Sequence, residues 1–543
     1  KVEVTTGSMT QAGTFNHVCV TLIGTRGVSE RTKLDKIGPD LETAMKRVYN
    51  AKTQLPLGKL LLVKVGKNLY HCLPDDELFY SKIVVTTPEG ESILFPSYRW
   101  LIGHRKHQLI FKKGLHWIED EFYGYQFLNG VNPNAITKCS ELPKNFPVTE
   151  EMVKPFLEGS SLQSEMTKGN IFIYDQKKME GLPVRDYEGK PLHVTPGLCL
   201  LYVNSKQNLV PIAIQQLHQE PAEENPIFLP SDSETDWLLA KIFIKNADAL
   251  NHQAVTHLMR THFLAEVYIV AALRCLPEIH PIYKLLFPHF RYTLHINTGG
   301  RKSLFGPDGA LHTSSLGYDG IIELMRRSLA QITYSSFFLP ENITARGLDS
   351  IPNNYYRDDG LKLWNIISFV KTMVEYYYPT DDDVRKDTEL QEWISEIFTH
   401  FPTCFRTVEE VIRFITMFIF TVSGQHSYDY CSMMPNYSLL LRKPPPTSKG
   451  QSTKETILET LPNVGEAVGF ATMAIVLTGN YADKVFLGNY PHERFDEPVP
   501  KKIIEEFQAK LANLTKEIEQ RNSAAEPPYI YLDPSQMENS IAI

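Results

Sequence analysis

Three histidines lie close together in one apolar stretch of the chain: His252, His257 and His262. Successive members are five residues apart, so a regular α-helix, at about 100° per residue, would splay each pair by about 140°. A π-type turn of roughly 4.4 residues would reduce that splay to about 50°, and π-bulges occur frequently at functional sites. The spacing therefore predicts a distorted helix that carries a metal ion.

This motif has two other interpretations, of which one remains open. The spacing differs from His-Glu-x-x-His, in which histidines four apart bind zinc and the glutamate acts as a base, so zinc proteolysis is disfavoured. The alternative to metal binding is that the three are core or surface histidines whose ring nitrogens are hydrogen-bonded.

A further histidine, His426, follows the apolar run 414–422 in the segment Val422-Ser-Gly-Gln-His426. A lone histidine after a buried helix is usually structural. Together with His257 and His262 it would complete a set of three imidazoles, which suits iron better than calcium or magnesium. The last residue, Ile543, would add an α-carboxylate ligand if the apolar chain end folded inward, although chain ends are normally exposed.

The elements that would position these groups follow two sequence patterns. Residues 1 to about 113 contain short β-branched runs bounded by turn residues, which predict an antiparallel β-sandwich. After His116 the pattern becomes helical, and the apolar runs 263–273 and 414–422 are shorter than the roughly 20 residues that span a bilayer. We expect a multi-domain α+β protein, with a β-sandwich over residues 1–113 and a mostly helical domain over residues 116–543.

Composition limits the functional classes. Hydrophobic residues make up 43% of the 543 residues, which is enough for a large core. The net charge is −8 and no basic block is present, so nucleic acid is not an expected partner. Seven cysteines without CxxC spacing predict a reduced, intracellular chain, and no signal-peptide pattern opens the sequence.

Several ordered blocks distinguish this sequence: His257-Leu-Met-Arg-Thr-His262 with Gln253, Gly124-Tyr-Gln-Phe-Leu-Asn-Gly-Val-Asn-Pro133, Asn225-Pro-Ile-Phe-Leu-Pro-Ser-Asp232, Tyr356-Arg-Asp-Asp-Gly360, Pro444-Pro-Pro-Thr447 and Asn539-Ser-Ile-Ala-Ile543. These blocks resemble the animal lipoxygenases, in particular R-specific arachidonate enzymes of the coral type. The resemblance implies a PLAT β-sandwich, a helical catalytic domain and one non-haem iron. The implied iron ligands are His257, His262, His426 and the main-chain carboxylate of Ile543.

The implied reaction is dioxygenation of a polyunsaturated fatty acid, in which a bis-allylic carbon loses a hydrogen atom and O₂ adds to the resulting radical. The implied apolar walls of the substrate pocket are Leu258, Ile296, Leu304 and Leu477. Gln253 is implied to be an amide that contacts the iron ligands rather than the iron. The alternative role for these residues is ordinary core packing. Gly300 matches a position where R-specific enzymes have glycine and S-specific enzymes have alanine. Relief of backbone strain is the alternative role for this glycine.

The β-domain has loop residues that resemble the calcium loops of PLAT domains, since oxygen ligands from several loops suit Ca²⁺. These residues are Asn16, His17, Asp40, Glu42, Asp75, Asp76 and Glu77. Leu78, Phe79 and Trp100 are candidate membrane-inserting side chains. We expect a cytoplasmic protein with calcium-dependent association to a membrane surface, and a homo-oligomer is an open option. Solvated surface acids and ordinary strand packing are the alternatives.

The sequence departs from the family pattern at three junctions. Ser427 runs directly into Tyr428, without the Asn or Ser that supplies a weak further iron ligand in the family. Leu115 abuts His116, where the family has the helix over the substrate entrance, and the junction at His400 is shortened. Two alternative functions stay open: a hydroperoxide isomerase of the same family, and a catalytically silent lipid- or membrane-binding protein.

Overall fold

The computed structural model describes most of the chain, in two compact units formed by residues 1–117 and 118–543. The described ranges are 1–6, 17–24, 27–34, 45–53, 56–57, 60–68, 78–88, 90, 92–101, 106–110, 118–130, 132–219, 224–306, 309, 311–397, 401–427, 439–463, 465–467, 470, 484–525 and 527–542. Each unit has its own hydrophobic core.

The first unit is an antiparallel β-sandwich, as the short β-branched runs predicted. Its described strands are β1 (Val2–Thr6), β2 (His17–Gly24), β3 (Gly27–Val28), β4 (Thr32–Lys33), β5 (Lys46–Tyr49), β6 (Leu60–Asn68), β7 (Leu78–Thr86), β8 (Ser92–Leu101) and β9 (Lys106–Ile110). One sheet has the order β5-β1-β7-β8, and the other has the order β3-β2-β6-β9, with β4 paired to β2. Alternate residues point inward, and valines from both sheets, such as Val4 and Val65, share one core.

The second unit combines small antiparallel sheets with a large set of helices. The strands are β10 (Ile136–Lys138), β11 (Ile171–Asp175), β12 (Asp186–Tyr187), β13 (Lys190–Pro191), β14 (Leu198–Val203), β15 (Leu209–Gln215) and β16 (Ile227–Phe228). The sheet order is β10-β11-β14-β15-β16, and β12 and β13 form a separate pair. The strands β14 and β15 are buried along almost their whole length, because the sheet is covered on both faces.

The helices of this unit flank the segments that carry the predicted histidine ligands. They are α1 (Asp120–Asn129), α2 (Glu150–Val153), α3 (Leu162–Lys168), α4 (Glu234–Asn251), α5 (Leu264–Cys275), α6 (Pro281–Leu286), α7 (Thr293–Ser303), α8 (Gly317–Gln331), α9 (Leu339–Ala345), α10 (Tyr355–Ile367), α11 (Val370–Tyr377), α12 (Asp381–Lys386), α13 (Thr388–Glu396) and α14 (Val408–Phe420), followed by Lys454–Thr460 and Pro498–Asn522. None of the helices in the described ranges is long and apolar enough to cross a membrane.

The histidine motif lies in a π-helical segment, as its spacing predicted. Residues His252–Phe263 are π-helical and continue α4 directly into α5. A buried polar network supports this segment: Thr256 donates to the Asn132 side chain over 3.2 Å, and Asn132 donates to Asp248 over 2.7 Å. The distorted turn is therefore held in place by hydrogen bonds to residues outside it.

A second π-helical segment, Thr421–Gln425, was not predicted. It follows α14, whose first turn has a capping box in which Thr407 and Glu410 satisfy each other's backbone N–H groups. His426 comes directly after it, and the two π-helical segments are neighbours in the fold. Both histidine-bearing stretches therefore leave the regular helix where they meet.

The long helix Pro498–Asn522 buries the stripe that the sequence predicted, formed by Ile503, Phe507, Leu511, Leu514 and Ile518. Its end is fixed by Arg521, which donates two hydrogen bonds to Asp359 over 2.6 and 2.5 Å and another to the Tyr529 carbonyl over 2.7 Å. Asp359 is buried, so its charge depends on this partner.

Replacing Asp359 by asparagine should destabilise the helical unit by about 3 kcal/mol, because a partly buried guanidinium would lose its counter-ion. Thermal or denaturant unfolding of the full chain measures this change. The matched control is Asp358→Asn, which alters a neighbouring exposed carboxylate paired with Arg357. Equal stability of the two variants would contradict the assigned role of the Asp359–Arg521 pair.

Candidate metal and substrate site

His257, His262 and His426 come together in the interior of the helical unit. One candidate ligand atom from each residue lies within 4.8 Å of the others, and all three side chains are buried. The ring centroids are 4.6 Å apart for His257 and His262, 5.4 Å for His257 and His426, and 5.0 Å for His262 and His426. His252, the first histidine of the motif, packs beside His257 with ring centroids 6.0 Å apart.

His262 has the electronic state that a metal ligand needs. Burial, with a smaller contribution from His257, lowers the pKa of His262 to about 3, so the imidazole is neutral at physiological pH. Its Nδ1 lies 2.8 Å from the Asn297 side-chain oxygen. Its Nε2 is buried and has no hydrogen-bond partner within the described ranges. An orphaned buried nitrogen of this kind is costly unless it binds something.

This set of donors fits a single transition-metal ion. Two imidazole nitrogens that bind the same ion at about 2.1 Å are at most about 4.2 Å apart. The three histidine ligand atoms lie within 4.8 Å of one another, so only a small adjustment would let them bind one ion. Neutral imidazoles suit iron, zinc, copper and nickel, whereas calcium and magnesium prefer oxygen. The donor chemistry alone therefore indicates a first-row transition metal.

The end of the chain is directed toward this cluster. Ile541 is fully buried, and Ala542 lines the same pocket as His257 and His262. Asn539 fixes the approach, since its N–H donates to the Val485 carbonyl over 2.9 Å and its side-chain oxygen accepts from Gly488 over 3.0 Å. Ile543, whose carboxylate is the predicted fourth ligand, lies outside the described residues.

His289 adds a titratable contact to this tail. Its Nδ1 lies 2.7 Å from the Asn539 carbonyl, so it donates there, and its Nε2 lies 3.2 Å from the Tyr490 hydroxyl. Burial lowers the pKa of His289 to about 4. As pH falls from about 6.5 toward 4, His289 becomes protonated where it is exposed, in the unfolded chain or after the tail opens, but stays neutral while it is buried against the tail. The buried arrangement of the tail therefore loses stability over this pH range.

We expect amide protection in residues 485–490 and 537–542 to fall as the pH drops from about 6.5 toward about 4. Hydrogen exchange corrected for its intrinsic pH dependence measures this, and strand β14 serves as an internal reference. In His289→Asn, which keeps a donor toward Asn539 but does not titrate, protection should be nearly independent of pH. An unchanged pH response in that variant would exclude His289 as the titrating group.

A largely apolar pocket of about 370 Å³ lies against the histidine cluster. This volume is in the range of small-molecule sites in proteins. The predicted walls Leu258, Ile296 and Leu304 all line it, as does Gly300. Two of the clustered histidines, His257 and His262, therefore share one cavity with the predicted wall residues.

Gly300 lies on α7 and faces open space in this pocket. A Cβ added there would have only Leu304 Cδ1 within 4 Å, at 3.9 Å. The backbone at Gly300 does not have the positive φ that would require glycine. Strain relief therefore does not explain the glycine, and its missing side chain leaves open volume in the pocket.

The remaining predicted residues divide into three groups. Gln253 is buried in the first π-helical segment, next to the ligands in sequence. Phe79 and Trp100 are directly paired in register between β7 and β8, and His17 begins β2, but their side chains are not described. Other predictions fall outside the described residues: Leu477, Asn16, Asp40, Glu42, Asp75, Asp76 and Glu77.

The structure also identifies site residues that the sequence did not reveal. Asn297, Phe305 and Ala542 line the pocket. Asn297 occurs in the block Asn297-Thr-Gly-Gly-Arg301 beside Gly300, and its spacing of four from Arg301 was the available signal.

Comparison with known proteins decides the family. The family model described as Lipoxygenase matches residues 101–527, and the one described as PLAT/LH2 domain matches residues 1–112. The chain belongs to the lipoxygenase family. Lipoxygenases are oxidoreductases that use non-haem iron and act on polyunsaturated fatty acids with O₂, so the predicted enzyme class is confirmed.

Relatives of this lipoxygenase include enzymes with different reactions. The hydroperoxide isomerase ALOXE3 of Rattus norvegicus is 35% identical over 99% of each chain. The arachidonate 12-lipoxygenase, 12R-type, of Rattus norvegicus is 32% identical over 100% of this chain and 99% of the relative. A solved coral 8R-lipoxygenase is 30% identical, with a TM-score of 0.75 over 100% of this chain and 99% of that chain. The predicted fold and the resemblance to R-type enzymes are confirmed.

This lipoxygenase is shorter than its relatives. The alignment with the rat isomerase extends over 705 positions, whereas this chain has 543 residues. The relatives therefore carry internal segments without a counterpart here, in agreement with the shortened junctions. Residues beside all three junctions, in the ranges 111–117, 398–400 and 428–438, lie outside the described part of the chain.

Proposed function

We propose that this lipoxygenase inserts O₂ into an arachidonate-like polyunsaturated fatty acid and releases a chiral hydroperoxide of R configuration. The observation that carries the proposal is a cluster of three buried histidines, two of which, His257 and His262, line an apolar pocket that also contains Gly300. The 12R-type relative and the solved coral 8R-lipoxygenase support the R assignment.

His257, His262, His426 and the terminal carboxylate of Ile543 would hold the iron. When bound, iron supplies the one-electron redox chemistry that breaks a bis-allylic C–H bond. Three neutral imidazoles and one carboxylate leave net positive charge at the metal, and burial strengthens its effect on bound groups.

The pocket residues perform the positioning. Leu258, Ile296 and Leu304 exclude water and hold the pentadiene beside the cluster, because an apolar chain is stabilised by apolar walls. Gly300 leaves space at one end of the pentadiene, which O₂ can reach. The product thus depends on how deeply the fatty acid enters the pocket and on which side of the pentadienyl radical O₂ can reach.

The direct experiment is incubation of the iron-containing chain with arachidonate under O₂. We expect O₂ uptake, matched by the appearance of conjugated diene, and an R hydroperoxide on chiral-phase chromatography. Absence of both O₂ uptake and diene in a chain that contains iron would contradict the dioxygenase proposal. Absence of iron altogether would leave a lipid-binding protein.

A hydroperoxide isomerase is the second candidate. The similarity to the rat hydroperoxide isomerase, over nearly the full length of both proteins, favours it. An isomerase would consume little O₂ with free arachidonate but would convert a supplied fatty acid hydroperoxide to epoxy alcohols. Parallel assays with the two substrates therefore separate the candidates.

The PLAT unit is proposed to bind Ca²⁺ through its acidic loops and to attach the enzyme to a membrane surface, with Phe79 and Trp100 as inserting side chains. The solved coral 8R-lipoxygenase is described as activated by calcium through a C2-like domain, which supports this role. A cytoplasmic location fits such reversible attachment, and a homo-oligomer stays a prediction.

Calcium should increase sedimentation of the full chain with anionic liposomes several-fold, because bound Ca²⁺ offsets repulsion between acidic loops and the anionic surface. Chelation should reverse it. The variant Asp76→Asn should need more calcium, whereas the control Glu30→Gln, in the same unit but outside the predicted loops, should behave as the unaltered chain. Equal binding with and without calcium would exclude the switch.

A further inference from the structure

We propose that Asn297 is a positioning residue that fixes which ring nitrogen of His262 faces the metal. Asn297 is buried on α7, which packs against the first π-helical segment and α5. The inference rests on the proposed function, because it assumes a metal ion at the histidine cluster. It assigns a role to a side chain that is itself outside the ligand set.

The hydrogen bonds of Asn297 determine the orientation of its amide group. Its Nδ2 donates to the His262 backbone oxygen over 2.9 Å and to Glu266 Oε2 over 2.6 Å. A carbonyl and a carboxylate can only accept, so the NH₂ side of the amide must face them. The amide oxygen therefore faces His262 Nδ1.

This orientation sets the tautomer of His262. An amide oxygen can only accept, so Nδ1, at 2.8 Å, carries the hydrogen. In a neutral imidazole the other nitrogen then holds the lone pair. That nitrogen is Nε2, which is buried and lacks a hydrogen-bond partner in the described part of the chain. Asn297 thus presents His262 in the form that binds a metal.

Arg301 completes the arrangement. Its Nη2 donates to both oxygens of Glu266, over 2.9 and 2.8 Å, and so holds the carboxylate against Asn297. His262 and Glu266 are four residues apart, as are Asn297 and Arg301, so each pair lies along one helix face. Hydrogen bonds made by Asn297 and Arg301 on α7 therefore connect α7 to the continuous helix that carries His262 and Glu266.

Loss of such a partner typically weakens metal binding by about 10- to 100-fold. Asn297→Leu keeps the approximate side-chain size but removes both the acceptor and the donor. We expect its iron affinity to fall by about that factor. Asn297→Asp keeps an acceptor toward Nδ1 but places a second carboxylate against Glu266, so we expect an intermediate loss.

The double variant Asn297→Asp/Glu266→Gln exchanges the two groups. The new carboxylate still accepts from His262 Nδ1, and the new amide donates to it. We expect iron affinity to recover to well above that of Asn297→Asp alone. A role in packing alone predicts the reverse, with tight iron binding in Asn297→Leu and no recovery in the double variant.

The experiment measures iron retained by each purified full-length chain across a graded chelator series, with thermal unfolding of the iron-free chains as the readout of packing. The matched control is Thr298→Ala, because Thr298 is exposed on the same helix and its hydroxyl donates to the Leu294 carbonyl. If the unaltered chain binds no iron, the proposed function fails. If it binds iron and Asn297→Leu binds it equally tightly, only the Asn297 inference is overturned. Should Asn297→Leu not fold, the comparison of Asn297→Asp with the double variant decides.

Discussion

Replacing Gly300 by alanine should change the main product from an R hydroperoxide to an S hydroperoxide at a different carbon. The added methyl group would enter the open volume of the pocket, where its nearest protein atom is Leu304 Cδ1 at 3.9 Å. It would therefore obstruct O₂ rather than displace a protein side chain. A tenfold reversal of product ratio needs only about 1.4 kcal/mol of difference between two transition states.

The change should cost no stability. Gly300 lies within α7 at a backbone conformation that alanine adopts readily, and alanine is favoured over glycine in a helix by about 0.5–1 kcal/mol. An altered product therefore would not reflect a damaged fold. Chiral-phase chromatography of the reduced products gives both position and configuration.

Gly299→Ala is the matched comparison, since it adds the same methyl group one residue earlier, about 100° around the helix. A Cβ at Gly299 also meets no protein atom within 4 Å. We expect its product to stay mainly R. Unchanged R product from Gly300→Ala would remove the stereochemical role of this glycine, and an equal shift in both variants would show that position on the helix is unimportant.

Replacing His262 by glutamine should abolish iron binding and O₂ uptake. The side chain keeps a polar end, but its amide nitrogen carries only hydrogens and has no lone pair to replace the imidazole nitrogen that lies near His257 and His426. Elemental analysis should show less than a tenth of the iron bound by the unaltered chain, with circular dichroism confirming that the helices form.

The control is His193→Gln, which changes an exposed histidine of the same unit. It should retain both iron and activity. Iron binding that survives in His262→Gln would place the metal elsewhere, and the arrangement described for the three histidines would then have no catalytic meaning.

The sequence predicted those features that follow from periodicity. A histidine spacing of five is incompatible with one face of an α-helix, so it indicated the π-helical segment His252–Phe263, and alternation of valines indicated the β-sandwich. The stripe in Pro498–Asn522 follows from the same reasoning. These are local properties, and each is repeated over several residues.

Features that depend on contacts between segments distant in the sequence were harder to predict from the sequence. The only sequence signal for the amide of Asn297 is its spacing of four from Arg301, and its role depends on a packing contact with His262, 35 residues away. The residue types raised the grouping of His426 with His257 only as an option, and the family resemblance rather than spacing made it the implied ligand set. The hydrogen bond between His289 and the Asn539 carbonyl joins residues 250 positions apart, and no sequence periodicity could indicate it.

X-ray absorption at the iron edge of the intact, purified chain tests the central claim most directly. We expect about one iron per chain, with a coordination shell that includes three imidazole nitrogens at about 2.1 Å. A chain that takes up no iron after anaerobic loading, or whose iron shows no imidazole scattering, would contradict it.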